Sequence, residues 1–305
     1  MKISRIRIFR ADLPMVEGSY SWSTQSHAGF DTTVVLVDTD EGLTGVGECC
    51  PLGPTYLPAY AHGVRAGIAQ LAPHLIDKDP TQLDRINHLM DTQLKGHPYV
   101  KSAIDMACWD ILGKATGLPV YVLLGGKLQE KVTLYKVVSR ADPNAMAERI
   151  PEYRDKGFHQ FQVKVGEDPS TDIIRIHRVA EEMEAGEVLN ADANTGWKQH
   201  EALQVAHGIA DIGKQTGIRL TFEQPCLSYH ECLAVRQHTN LPFVLDECMD
   251  SINALLQAQH DHAMDMINLK ISRFGGITRA RQVRDLCVSL GLPMNVEDSW
   301  GGEIT

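Results

Sequence analysis

The sequence predicts an α/β chain in which an α+β domain over residues 1–125 precedes a (β/α) barrel over residues 126–305. Two observations predict this division. In the first part, strand-like stretches come first and helical stretches follow. In the second part, strand-like and helix-like segments alternate. Strands that alternate with helices form a parallel sheet, and the number of such units indicates a barrel.

The first domain is predicted to contain long strands and then three helices. Residues 2–13 and 31–48 have the apolar, β-branched pattern of strands, the second with a turn at Asp40-Glu41-Gly42. The third helix is predicted to end at Gly117, because glycine commonly terminates a helix and Pro119 follows. The helices are predicted over residues 59–76, 79–94 and 99–117.

The second domain is predicted to be a modified barrel of the TIM type. Each of its first six strands is followed by a helical stretch, such as residues 200–217. A closed barrel of this type has eight strands, and only seven are predicted, so we expect the last unit to be missing from this sequence. The strands are predicted near residues 132–138, 158–165, 187–193, 218–223, 242–247, 264–271 and 292–297.

Composition excludes several classes of partner. The formal net charge is −10 and the basic residues are dispersed, which argues against nucleic acid. The sequence has no apolar run of the roughly 18 residues that a membrane span needs, and residues 1–14 alternate like a strand rather than a signal peptide. The seven cysteines are irregularly spaced without a CxxC pair, so we expect reduced thiols in a cytoplasmic protein.

Lys164 lies among apolar residues in the strand that is predicted near residues 158–165. Successive side chains of a strand point to opposite faces. Phe161, Val163 and Val165 therefore form one face, which is expected to meet the helices. Gln162 and Lys164 form the other face, so Lys164 is expected to point into the barrel near the C-terminal end of its strand.

The same alternation predicts an inward-facing charged residue at the C-terminal end of five consecutive strands. That end of a barrel carries the active site. Three adjacent carboxylates repel one another unless a cation neutralises them, and one Mg²⁺ ion is the usual choice for oxygen ligands. Each residue, taken alone, is also compatible with a structural salt bridge. Glu247, which follows Asp246 in the sequence, is expected either to support Lys270 or to be a solvated charge. The five residues are Lys164, Asp192, Glu223, Asp246 and Lys270.

Motifs along the whole chain resemble those of the mandelate racemase and muconate-lactonising group of the enolase superfamily. The resemblance is carried by AIDMACWDILGKATGLPVYVLLGG, QVKVG, NADANTGW, FEQPC, VLDE and NLKISRFGGITRARQ. It implies that residues 1–125 are a capping domain over the barrel. It also implies a reaction that starts by removing the proton α to a substrate carboxylate, with Mg²⁺ stabilising the enediolate. By analogy with the family, we expect a homo-oligomer.

The resemblance also assigns roles to the five charged residues. Asp192, Glu223 and Asp246 would bind Mg²⁺, whereas Lys164 and Lys270 would be the acid/base pair; which lysine takes the first proton stays open. Many relatives carry a second lysine two residues before the first, but here that position is Gln162. The metal and desolvation would then have to lower the pKa of Lys164.

A narrower resemblance points to enzymes that act on proline derivatives. CPLGPTYLPAYAHGVRAGIAQL, KGHPYVKSAIDMA and EDSWGGEI are similar to segments of cis-3-hydroxy-L-proline dehydratases and 4-hydroxyproline betaine 2-epimerases. Tyr56 and Trp300 would then form an aromatic wall around a substrate ammonium. The alternative for Tyr56 is packing within its loop, and the alternative for Trp300 is a plug at the barrel rim. Asp298 would bond the ammonium or cap a loop. Asn194, on the face of Asp192, is expected to contact the substrate.

EDSWGG and DMACWD resemble the dehydratases more than the epimerases, which tend toward DDAWGG, and this resemblance favours dehydration of cis-3-hydroxy-L-proline. Two alternative reactions stay open. A 2-epimerase of a proline derivative such as 4-hydroxyproline betaine shares the first step and needs the same two lysines. A sugar-acid dehydratase often has a histidine acid on a late strand, and residues 292–300 contain none. A metal-stabilised binding protein would not need two bases.

Overall fold

The computed structural model describes residues 1–304. Its strands are β1 (Ile3–Pro14), β2 (Tyr20–Trp22), β3 (Gln25–His27), β4 (Gly29–Thr39), β5 (Thr44–Cys49), β6 (Lys136–Val138), β7 (Gln160–Lys164), β8 (Val188–Asp192), β9 (Arg219–Glu223), β10 (Phe243–Leu245), β11 (Met266–Lys270) and β12 (Met294–Glu297). Its helices are α1 (Ala61–Leu75), α2 (Leu83–Gln93), α3 (Pro98–Thr116), α4 (Val120–Leu123), α5 (Pro143–Asp155), α6 (Pro169–Glu181), α7 (Gln199–Ile209), α8 (Ile212–Thr216), α9 (Tyr229–Arg236), α10 (Ile252–His260), α11 (Ile271–Phe274) and α12 (Ile277–Leu290).

The seven strands from β6 to β12 form one sheet in sequence order, which confirms the predicted (β/α) fold class. The pairings from β6 through β11 are parallel. Parallel neighbours require a crossover connection, and the helices α5 to α10 supply one after each strand from β6 to β10. All seven predicted barrel strands are present, within a few residues of the expected bounds.

The chain divides into two compact units. The first unit contains Met1–Pro14, Gly29–Glu130 and the residues from Leu269 onward. The second unit contains Met15–Ala28 and Lys131–Asn268. The predicted domain boundary at residue 125 stays a prediction.

The antiparallel sheet of the first unit packs against α3. Its strand order is β1-β4-β5, and Val35 and Val37 on β4 are fully buried. Gly45 and Gly47 on β5 allow close approach, because a Cβ at either position would collide with a backbone carbonyl of α3. As predicted, α3 ends at Gly117, which adopts the left-handed conformation (φ 69°).

A short hairpin of β2 and β3 belongs to the second unit and was not predicted. Its turn residue Ser23 donates two hydrogen bonds to the loop after β7, from its backbone N to Val165 O (3.1 Å) and from Oγ to Gly166 O (3.0 Å). The rings of Trp22 and His27 stack across the hairpin, with their centroids 4.9 Å apart. The hairpin is therefore fastened to the end of the strand that carries Lys164.

Two further properties of the described chain bear on the sequence predictions. No helix within residues 1–304 combines the length and the apolar character of a membrane span. All seven cysteines are free thiols, and six of them are buried.

Candidate active site

Lys164 and Asp192 form a buried ion pair at the C-terminal ends of neighbouring strands. Parallel register places the two residues opposite each other on β7 and β8. Lys164 Nζ lies 2.5 Å from Asp192 Oδ2, and the two residues are 4% and 0% exposed. Burial lowers the pKa of Lys164, but the negative charge of Asp192 outweighs it and holds that pKa well above its usual range.

Tyr20, on the unpredicted hairpin, also faces Lys164. Its ring centroid lies 5.9 Å from Lys164 Nζ, within the range of a cation–π contact. Tyr20 was not predicted, because the three-residue strands of the hairpin are too short to show a periodic pattern.

Glu223 is fully buried and receives hydrogen bonds from three neutral amides. Asn268 Nδ2 donates to Glu223 Oε1 at 2.6 Å, and Asn190 Nδ2 donates to Oε2. Gln162 Nε2 reaches both oxygens, at 3.4 and 3.3 Å. Thr221 Oγ1 donates to Asn190 Oδ1 (2.8 Å), which leaves the amide nitrogen of Asn190 to face Glu223. Each of these residues lies two positions before an inward-facing charged residue of its own strand, or is that residue, so alternation along the strands places all of them on the inward face.

Asp246 supplies a second buried carboxylate next to Glu223. One carboxylate oxygen of each lies within 4.8 Å of the other, and both residues are fully buried. Asp192 lies opposite Glu223 in the register of β8 and β9. Buried oxygen donors without a sulfur or imidazole group suit a hard cation such as Mg²⁺ better than a soft one, so the residues fit the predicted ion.

Asn194 connects the loop after β8 to Glu247. Its backbone N donates to Asp192 Oδ1 at 2.8 Å, and its Nδ2 donates to Glu247 Oε1 at 3.0 Å. Glu247 is only 7% exposed. Asn194 and Glu247 thus support the loop that follows Asp192, and contact between Asn194 and substrate stays a prediction.

In the first unit, Lys270 shares a tyrosine hydroxyl with an arginine. Lys270 Nζ and Arg273 Nη2 each lie 2.9 Å from Tyr56 Oη. The two cationic groups also lie 5.4 and 6.0 Å from the centroid of the Tyr56 ring. Lys270 Nζ is 3.6 Å from Glu297 Oε1 on β12. Neither Arg273 nor Glu297 was predicted. Arg273 lies in the short helix α11 after β11 and so falls outside the strand pattern, whereas Glu297 ends β12 and could have been found as the charged residue at the end of the seventh strand.

Asp298 and Trp300 make contacts within the first unit. Asp298 accepts hydrogen bonds from Ser272 N (3.0 Å), Ser272 Oγ and Ser299 N (2.7 Å), and burial raises its pKa. The Trp300 ring packs against Phe30 with centroids 5.0 Å apart. The contacts of Asp298 are compatible with the loop cap that was its alternative role, whereas a role of Trp300 as a plug at the barrel rim stays a prediction. Their contact with substrate stays a prediction.

Two family models match separate parts of the chain. Residues 8–125 match the family model of the mandelate racemase/muconate lactonizing enzyme N-terminal domain, and residues 145–305 match the enolase C-terminal domain-like model. A cis-3-hydroxy-L-proline dehydratase from Roseibium aggregatum is 52% identical over 100% of this chain and 82% of its own length. An N-succinyl-L-Arg/Lys racemase from Bacillus cereus is 30% identical over 97% of this chain and 79% of its own.

Solved structures agree with the sequence comparisons. A member of the enolase superfamily from Roseovarius nubinhibens, crystallised in complex with magnesium, superimposes with a TM-score of 0.89 at 40% identity. The match covers 98% of this chain and 80% of that protein. The chain therefore belongs to the mandelate racemase/muconate lactonizing enzyme family of the enolase superfamily.

Proposed function

We propose that the protein dehydrates cis-3-hydroxy-L-proline in a Mg²⁺-dependent reaction that begins with removal of the α-proton. The observation that carries this proposal is 52% identity, over the whole of this chain, to a dehydratase of that name. That relative belongs to the family to which this chain belongs, and the residues that the chemistry needs are present. Nothing in the reaction requires a cofactor other than the metal ion.

Buried carboxylates support the proposed metal site. Asp192, Glu223 and Asp246, all fully buried, would hold the ion. When bound, Mg²⁺ would hold the substrate carboxylate and stabilise the negative charge that develops on it. Gln162 and the other amides would keep the Glu223 carboxylate in one orientation.

Lys164 and Lys270 are proposed as the acid/base pair. Lys164 is 4% exposed and Lys270 is 6% exposed. Such burial excludes water from a proton-transfer site. Tyr56, Trp300, Asp298 and Asn194 are the proposed substrate contacts. A homo-oligomer and a cytoplasmic location belong to the same proposal.

A 2-epimerase of a proline derivative is the second candidate. The observation that favours it is the pair of lysines, together with the 30% identical racemase. An epimerase would return a proton to the opposite face of the α-carbon, whereas a dehydratase would expel the β-hydroxyl.

Isotope exchange tests both candidates in one experiment. The protein is incubated with Mg²⁺ and a panel of proline derivatives in D₂O, and the products are followed by NMR and mass spectrometry. Loss of water from cis-3-hydroxy-L-proline supports the dehydratase, and deuterium at an inverted α-carbon supports the epimerase. Failure to exchange the α-proton of any proline derivative would contradict the substrate class.

A further inference from the structure

Tyr56 has a hydroxyl group that accepts hydrogen bonds from two cations. We propose that Tyr56 is the acid that protonates the departing β-hydroxyl during dehydration, a role that rests on the proposed function. The geometry of Tyr56, Lys270 and Arg273 within the first unit carries the inference.

The two cations direct and stabilise the phenol. Lys270 Nζ and Arg273 Nη2 both donate to Tyr56 Oη at 2.9 Å. An oxygen that accepts two hydrogen bonds must direct its own O–H away from both donors. After the proton leaves, the same two positive charges stabilise the phenolate. Arg273 is 1% exposed and its guanidinium does not lose its proton, so one of these charges is permanent.

The position of Tyr56 allows it to donate its proton to the leaving group and to regain a proton afterwards. It lies in the loop between β5 and α1, where its backbone N donates to Gly53 O at 3.0 Å. Its side chain is partly accessible to solvent, so it can recover a proton from water. Its oxygen is one hydrogen bond from Lys270 Nζ, so a substrate within reach of that lysine is close to the phenol as well.

The proposed step is balanced and involves no oxidation or reduction. After the α-proton has been removed, the electron pair of the enediolate forms a double bond between Cα and Cβ. The Cβ–O bond breaks and its electrons pass to the departing oxygen, which takes the proton of Tyr56 and leaves as water. The Tyr56 phenolate then regains a proton from solvent.

Tyr56→Phe tests the role because it removes the hydroxyl and keeps the ring. General acids typically contribute about 10²–10⁴-fold to a rate, so we expect kcat for dehydration to fall at least ~100-fold. Removal of the α-proton does not need this acid. The variant should therefore still exchange the α-proton of unreacted cis-3-hydroxy-L-proline for deuterium in D₂O, within about threefold of the wild-type rate of proton removal.

Tyr60→Phe is the matched control. Tyr60 lies in the same loop and is 50% exposed, so the loss of its hydroxyl should leave dehydration unchanged. If Tyr56 only binds substrate through its ring, Tyr56→Phe will dehydrate normally, and the proposal fails while the proposed function stands. An equal loss of exchange and dehydration would show that Tyr56 supports Lys270 instead, and would overturn the proposal. If the wild-type protein dehydrates no proline derivative, the proposed function fails and this role fails with it.

Discussion

Replacing Gln162 with leucine would remove one of the three amides that hold Glu223. Leucine is close to glutamine in size and suits a residue that is 3% exposed. The Glu223 carboxylate would keep Asn190 and Asn268 but lose the group that bridges its two oxygens. We expect a weaker metal site in a folded protein.

The structure sets the size of the effect. Hydrogen bonds to charged groups contribute about 1.5–3 kcal/mol. Gln162 Nε2 lies 3.3 and 3.4 Å from the Glu223 oxygens, longer than the roughly 2.7–2.9 Å of a strong charge-assisted bond, so the lower end applies. A change of about 1.4 kcal/mol is tenfold in affinity, and partners that orient metal ligands typically contribute about 10–100-fold. We therefore expect divalent metal to bind about tenfold more weakly.

Calorimetric titration of the metal-free protein with Mg²⁺ or Mn²⁺ measures this change without any substrate. Gln160→Leu is the matched control, because Gln160 lies on the same face of β7 and has no hydrogen bond to Glu223. Thermal unfolding with a chelator present establishes that each variant is folded. A dissociation constant for Gln162→Leu within about twofold of wild type would refute the inference that Gln162 orients the ligand.

Three other substitutions test different parts of the chain. Lys164→Ala should slow α-proton exchange in D₂O by at least ~100-fold if this lysine is an essential base, and retained turnover would contradict that role. Asp172→Asn should destabilise the protein by about 1.5–3 kcal/mol in urea, because the buried Arg175 guanidinium loses its 2.7 Å contact with the buried Asp172 carboxylate and keeps only the longer 3.2 Å ion pair with the more exposed Glu167; an unchanged midpoint would contradict this. The Arg7 guanidinium holds the pKa of Asp38 well below its usual range, so the pair stabilises the folded state above about pH 4 and this contribution is lost as the pH falls further. Asp38→Asn should therefore lower the free energy of unfolding at pH 7 and flatten its fall below pH 4, and an equally steep fall would exclude this pair as its cause.

The fold and much of the candidate site follow from local periodicity. Gln162, Asn190 and Asn268 each precede a charged residue by two positions, so strand alternation alone places them on its side, and all three donate to Glu223. Parallel register then brings Lys164 opposite Asp192. These relations could be predicted because each depends on a two-residue repeat and on the order of strands in one sheet.

Contacts made by loops could not be predicted in this way. The Tyr56 hydroxyl accepts hydrogen bonds from Lys270 and Arg273, which are more than 200 residues away in sequence, and neither contact was predicted. Ser23 joins the hairpin that carries Tyr20 to the loop after β7 by a hydrogen bond, and no periodic pattern in the sequence predicts this contact. Loop conformation depends on individual hydrogen bonds, which composition and spacing do not encode.

The unlike surroundings of the two lysines favour elimination over epimerisation. An enzyme that inverts a carbon centre needs two groups that exchange the same proton between opposite faces. Lys164 is paired with the carboxylate of Asp192, whereas Lys270 lies beside a phenol that Arg273 also contacts. Tyr20 lies near Lys164, but the phenol beside Lys270 also accepts a hydrogen bond from Arg273, and inversion by one lysine on each face does not need a phenol whose anion is stabilised in this way. Such a phenol does serve a reaction in which one group takes the α-proton and another must protonate a poor leaving group, as loss of a β-hydroxyl requires.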